Sequence, residues 1–155
     1  MHREVRVQAE PLDALAETTP VFAANAAVGG VVSFIGLMRH LNQGDPVEAM
    51  TLEHYPGMTE KALNAIVEEA LGRWDLLGVR LIHRVGKVHP QDPIVLVAVA
   101  SAHRGEAFRA CEFIIDYLKT RAPFWKREQT TDGRSRWVEA RASDVGAAAG
   151  WEKKS

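Results

Sequence analysis

The sequence predicts an α+β fold: a single domain in which a mixed or antiparallel sheet packs against two long amphipathic helices. Two observations carry this. Apolar residues recur at three- and four-residue steps over Met58–Trp74 and again over Arg104–Arg121, the period of a one-faced helix. Between and around them lie short β-branched runs bounded by Gly, Pro, Asn and Asp, which read as strands. Composition agrees: 155 residues, 46% hydrophobic and 25% charged, with a formal net charge of -1, suit one ordinary globular domain. A chain of this size buries enough surface to fold without disulfides or a structural metal.

In chain order, Val5, Val7 and Ala9 alternate with Arg6 and Gln8 as a first strand that Pro11 ends. Leu12–Ala27 is alanine-rich and helical in pieces around Pro20. Gly29-Gly30 breaks the chain before Val31–Arg39, read as a buried strand. Residues 40–46 form a loop, and Val47–Tyr55 alternates as the next strand, open to pairing with the preceding one as a hairpin. After Pro56-Gly57, Thr59 is a candidate cap for the first long helix. Val79–Arg84 and the more apolar Ile94–Ser101 are strands on either side of a Pro90–Pro93 turn. The second helix runs from about Arg104 to Arg121 with Ala107, Phe108, Cys111, Ile114, Ile115 and Leu118 inward, and Pro123 forbids its continuation. Phe124–Gln129 and Arg136–Ala140 read as strands around Asp132-Gly133. The domain spans residues 1–141, and the tail 142–155 has little to bury and is open to being mobile.

Several function classes lose support. No Gly-x-Gly-x-x-Gly, Walker-type Gly-Lys-Ser/Thr, Gly-x-Ser-x-Gly or His-Glu-x-x-His occurs. Six histidines show no metal-ligand spacing, so neither a metal nor another resident cofactor is expected. The longest aliphatic run, Ile94–Ala100, is far shorter than the ~20 residues that cross a bilayer. The charged, valine-alternating N-terminus reads as no secretory signal, and a lone cysteine fits a reducing cytosol. That cysteine, Cys111, falls on the apolar stripe of the second helix, which favours a small core hydrophobe over a nucleophile.

Near-neutrality hides an asymmetry. Lys119–Arg141 holds seven basic and three acidic residues, a net +4 against -5 for the remainder. A local basic cluster on a neutral chain suits a small anionic ligand, the alternative being solvated charge. Within it, Pro123 turns the chain so that Lys119 and Lys126 can approach one another, and like charges held close depress lysine pKa values. Phe124-Trp125 either walls a heterocycle or anchors the turn. Ser101-Ala102-His103-Arg104, at a strand exit and helix entry, is either an anion-binding helix start or a plain capping turn with Ser101 as cap. Arg39 ends the Val31–Met38 strand, where a side chain is delivered to a pocket or to solvent. Arg104 and Lys119 are fifteen residues apart on one expected helix, about 22 Å of rise. One small ligand reaches both only across a two-fold dimer; otherwise they serve separate sites.

Three stretches, Leu52-Glu53-His54-Tyr55-Pro56-Gly57-Met58, Ser101-Ala102-His103-Arg104 and Tyr117 through Lys126, closely resemble the catalytic (large) subunit of molybdopterin synthase, in order and at that family's spacing. The resemblance covers about Val31–Arg141 and implies a hammerhead-like α/β arrangement within the α+β class. It departs at Leu37-Met38, where family members often carry Lys and Val. It further implies a cytoplasmic sulfurtransferase of molybdenum cofactor biosynthesis, converting cyclic pyranopterin monophosphate (precursor Z) to molybdopterin. The two dithiolene sulfurs would arrive as a thiocarboxylate on a small ubiquitin-like subunit, and a central homodimer would carry one small subunit at each end of a heterotetramer. On the same resemblance Lys119 and Lys126 are the catalytic lysines. Leu37, Met38, Arg39, His103, Arg104, Lys119, Lys126, Arg127 and Glu128 form the substrate-binding set, with His103 and Arg104 supplied by the partner copy. Two other readings stand beside it. One is a non-catalytic adaptor docking a ubiquitin-like tail; the other is a single-strand nucleic-acid binder using Lys119–Arg136.

Overall fold

The computed structural model describes residues 1–42, 44–138 and 142–152. Strand β1 (His2–Gln8) is followed by helix α1 (Ala14–Thr18) and a 3-10 turn (Thr19–Val21). Then come β2 (Gly30–Leu37), β3 (Leu41–Asn42), β4 (Asp45–His54), α2 (Met58–Arg73), β5 (Gly78–Arg84) and β6 (Gly86–Val88). The chain continues through β7 (Pro93–Ser101), α3 (Arg104–Arg121), β8 (Phe124–Thr130), β9 (Ser135–Val138) and α4 (Ala142–Ala149). The α+β class holds: one sheet is ordered β1-β5-β7-β2, parallel only at β1/β5, and a second is ordered β3-β4-β8-β9 with β6 also on β4.

The apolar run of β7 follows from its central place. Val95, Val97 and Val99 enter the main core with Leu63, Ile66 and Val67 of α2 and Ala110, Phe113 and Ile114 of α3. Leu96, Ala98 and Ala100 point the other way, onto Leu12, Ala14 and Val21. With both faces covered, the strand carries no polar alternation. The N-terminal cover is clamped by charge: Arg80 Nε donates to Glu17 at 2.9 Å, Arg6 pairs with Glu17 at 2.8 Å, and Arg80 also donates to His2 Nε2 at 3.0 Å.

Four local expectations are corrected. β2 is not a buried strand paired with β4; it is the edge of the first sheet, with Ser33, Phe34 and Leu37 exposed. The turn residues after it close a tighter hairpin instead, Asn42 opposite Asp45 with Gly44 at φ +81°, which carries β4 into the second sheet. Thr59 does not cap α2: Gly57 does, its N–H donating to the Glu60 carboxylate at 2.6 Å, while the buried Thr59 hydroxyl donates to Tyr55 O. Phe108 is 60% exposed, because the inward face of α3 is set by Ala107, Ala110, Cys111, Ile114, Tyr117 and Leu118, and Phe108 sits about 100° round from Ala107. Finally, the segment after residue 141 has more to bury than its alanines suggest. Ala148 joins the core, and Trp151 lies edge-on to Trp74 and Phe113 while its Nε1–H donates to Asp116 at 2.6 Å. The expected extension of β9 through Glu139 and Ala140, the boundary at Arg141, Gln43 of the 40–46 loop and the last three residues lie outside the described residues.

Candidate functional site

Topology sorts the expected site residues onto two ends of the first sheet. α3 leaves β7 after Ser101 and returns along it, so Lys119 near its C-terminus comes back to the end where β7 begins. Antiparallel pairing brings Leu37 of β2 opposite Pro93, and His83 of β5 opposite Val95, to that same end. Arg39 and Lys119 therefore share one end, whereas Gly30, Ser101, His103 and Arg104 lie at the other. α3 is unbroken between Arg104 and Lys119, which fixes the separation at about 22 Å of rise.

The lysine end is built around His83. Its side chain continues the inward face of Val79 and Leu81 and is only 4% exposed. Nδ1 lies 2.7 Å from Arg84 O, and the ring of Phe124 stacks on it at 3.8 Å and 18°. Phe124 is set opposite His54 by the β4/β8 register, with the two rings 6.1 Å apart. Burial drives the His83 pKa down to about 3, and the charges of Lys119, Lys126 and His54 push it the same way. Lys119 from α3 and Lys126 from β8 thus act on one buried, neutral imidazole. Both lysines are half-buried.

The remaining predicted residues separate. Phe124 and Trp125 do not form one wall, since adjacent strand residues face opposite sides: Trp125 packs edge-on to Tyr55 at 4.7 Å and donates to Glu53 at 2.8 Å. Arg127, on Trp125's side, is exposed with its guanidinium 5.9 Å from the centre of the Trp137 ring. Glu128 is buried and accepts from Arg136 Nε at 3.1 Å. Of Leu37-Met38-Arg39, Leu37 and Arg39 face outward, while Met38 is core, its N–H donating to Asp92 O and its carbonyl accepting from Gln91. At the far end Ser101 is not the cap. His103 is, without a side-chain cap bond, and buried Ser101 Oγ lies 2.8 Å from Asp75 O and 3.1 Å from Glu106 Oε2. His103 and Arg104 are exposed. Arg121 turns to another flank, paired with Glu69 and stacked over Tyr117.

Sequence reasoning assigns no site role to His83 or His54; apart from His103, it weighs the histidines only as metal ligands. The signal was the polar residue on an otherwise apolar inward face, Val79, Leu81, His83, where a buried imidazole needs partners. Cys111 sits where the stripe placed it: 4% exposed, Sγ 3.7 Å from Val97 O, and pushed by burial up to about 12.

A family model described as "MoaE protein" matches residues 7–121, well over half the chain. The chain belongs to the MoaE protein family. Among MoaE relatives, the molybdopterin synthase catalytic subunit of Ralstonia nicotianae is 58% identical over 147 residues, covering 95% of this chain and 83% of that one. The protein of the same name from Escherichia coli is 59% identical over 135 residues, with 87% and 89% covered. The solved molybdopterin biosynthesis MoaE protein of Burkholderia ambifaria superposes with a TM-score of 0.81 at 49% identity, covering 97% and 98%. The resemblance read from the three motifs and the α+β class are both upheld. No helix among the described residues is long and apolar enough to cross a membrane.

Proposed function

We propose that this chain is the catalytic subunit of a molybdopterin synthase, a cytoplasmic sulfurtransferase that converts precursor Z to molybdopterin with a thiocarboxylated, ubiquitin-like partner. One observation carries the reading: in a chain of this family, Phe124, which lies between Lys119 and Lys126 where α3 passes into β8, stacks on the buried imidazole of His83. Each sulfur insertion forms a carbon–sulfur bond to the substrate and breaks a carbon–oxygen bond there, and water then cleaves the thiocarboxylate's own carbon–sulfur bond, leaving a carboxylate on the partner. The thiocarboxylate brings an anion, and the departing oxygen needs a proton. Two half-buried ammonium groups meet both needs, one by charge and one as acid. The relatives' description as a catalytic subunit supports a second subunit.

Arg39 is at the lysine end and suits the substrate's anionic part, with Leu37 exposed beside it. His103 and Arg104, displaced by the length of α3, suit a phosphate held from a second copy in a central homodimer, which makes a heterotetramer with two small subunits. Arg127 flanks the site on the outer face of β8. Met38 and Glu128 contribute by holding the ends of β2 and β8 in place.

Reconstitution tests this. The purified chain, a thiocarboxylated partner and precursor Z should yield molybdopterin, and Lys119→Ala or Lys126→Ala should lower kcat by two or more orders of magnitude, about 10²–10⁴ for loss of a positioned acid–base group. No product from the wild-type mixture would leave tail-docking without chemistry. Nucleic-acid binding gains little from the geometry, because Arg121, Arg134 and Arg136 are each ion-paired with a carboxylate of this chain, Glu69, Asp132 and Glu128.

A further inference from the structure

We propose that His83 is a positioning residue of the lysine site: its ring proton is committed to Arg84 O, and its Nε2 lone pair accepts from an ammonium group of the Lys119/Lys126 pair, keeping that amine protonated and aimed. The proposal rests on the sulfurtransferase reading above and names a residue whose part in it is indirect.

The tautomer follows from the hydrogen bond. A backbone carbonyl only accepts, so Nδ1, 2.7 Å from Arg84 O, must carry the proton. The ring is neutral, because burial and two neighbouring lysines disfavour a third positive charge. Nε2 is then left as a bare acceptor. Its direction is fixed as well: the Phe124 ring lies nearly parallel on the imidazole, and rotation about the ring's own axis is held by the Arg84 bond. Phe124 is also the residue through which α3 hands the chain to β8, five residues after Lys119 and two before Lys126. The stack therefore ties the acceptor to the segment that carries both amines.

His54 extends the arrangement from β4. Thr59 Oγ1 gives its proton to Tyr55 O at 2.8 Å, so His54 Nδ1, 3.0 Å away, is a donor to it. Glu60 of α2 lies 3.9 Å beyond His54. Among the described residues, the charged or titratable groups around His83 include Lys119 from α3, Lys126 from β8, His54 from β4 and the adjoining Arg84, with Glu60 behind His54. A neutral acceptor holds an ammonium there without cancelling the charge that the thiocarboxylate needs.

Three variants in the full chain separate positioning from packing. His83→Phe keeps the stack and loses both ring nitrogens; His83→Asn keeps a donor for Arg84 O; His83→Gln restores an acceptor near the Nε2 position. With thiocarboxylated partner and precursor Z, the alkaline limb of the kcat–pH profile should move down by about one pH unit in His83→Phe and His83→Asn. In His83→Gln it should stay within a few tenths of wild type. The same order should appear in lysine side-chain NMR titrations of the free chain, a readout that needs no turnover. A wild-type mixture making no molybdopterin would overturn the proposed function while the lysine titrations still test His83. A His83→Phe chain whose lysines titrate as in wild type overturns the positioning role. If the variants do not fold, the wild-type ring decides: ¹⁵N shifts of a neutral Nδ1–H imidazole with hydrogen-bonded Nε2 support the proposal, and a cation or an Nε2–H tautomer overturns it.

Discussion

Cys111 gives the sharpest quantitative expectation, because a sulfur-handling protein invites the assumption that its own thiol takes part. Burial on the inner face of α3 lifts the thiol from an ordinary 9.0 to about 12. At pH 7 the thiolate fraction falls from about one part in 10² to about one in 10⁵, a thousandfold loss of the reactive form. Restricted access adds to that factor, so it is a lower bound on the protection. Native chain treated with iodoacetamide at pH 7 should therefore alkylate at least ~10³ times more slowly than urea-unfolded chain. Cys111→Ala removes one buried sulfur from a close-packed site, at a cost of about 1 kcal/mol, and should leave sulfur transfer from the partner unchanged. Two results would refute the reasoning: native alkylation as fast as in urea, or a folded Cys111→Ala chain that makes no molybdopterin from precursor Z and a thiocarboxylated partner. Either would move the thiol into the chemistry.

Three further outcomes concern contacts away from the lysine end. Trp151→Ala loses two aromatic edges and a hydrogen bond to the Asp116 carboxylate and should destabilise by about 2–4 kcal/mol in urea titration, with faster amide exchange in α4. For Glu17, burial alone would raise the pKa, but hydrogen bonds and charge from Arg80 and Arg6 together outweigh it and hold the carboxyl below 4.5. Its stabilisation is therefore complete above that value and lost as pH falls through the lower folded one. Glu17→Gln should cost about 1–2 kcal/mol at pH 7 and progressively less on acidification below pH 4.5. Gly29→Ala would place a methyl 2.1 Å from Ala102 O, so its chain should melt well below wild type, as thermal unfolding will show.

What the sequence revealed was mostly local. α3 begins at Arg104 and ends at Arg121 as read, because Pro123 and the stripe from Ala107 to Leu118 are signals carried within a few residues. The β8/β9 hairpin was legible through Asp132-Gly133, with Gly133 at φ +85°. Strand partnership was not, since β2 and β4 look equally pairable until the tight β3/β4 hairpin diverts one of them. Phe108 shows the limit of periodicity: one residue's rotation decides whether an apolar side chain is core or surface. For the candidate site, the turn at Pro123 that carries the chain from Lys119 to Lys126 was legible, but the buried imidazole under Phe124 was not. It comes from β5, far off in sequence, and only tertiary packing stacks it under Phe124.

The length of α3 has a genetic consequence. If the phosphate-binding end and the lysine end of one site come from different copies, Arg104 and Lys119 behave as separate complementation groups within a single gene. A chain damaged at Arg104 and another damaged at Lys119 are each inert alone. Paired, they rebuild one intact site and concentrate both lesions in the other. Random mixing makes about half the dimers hybrid, so co-expression should recover about one quarter of full activity.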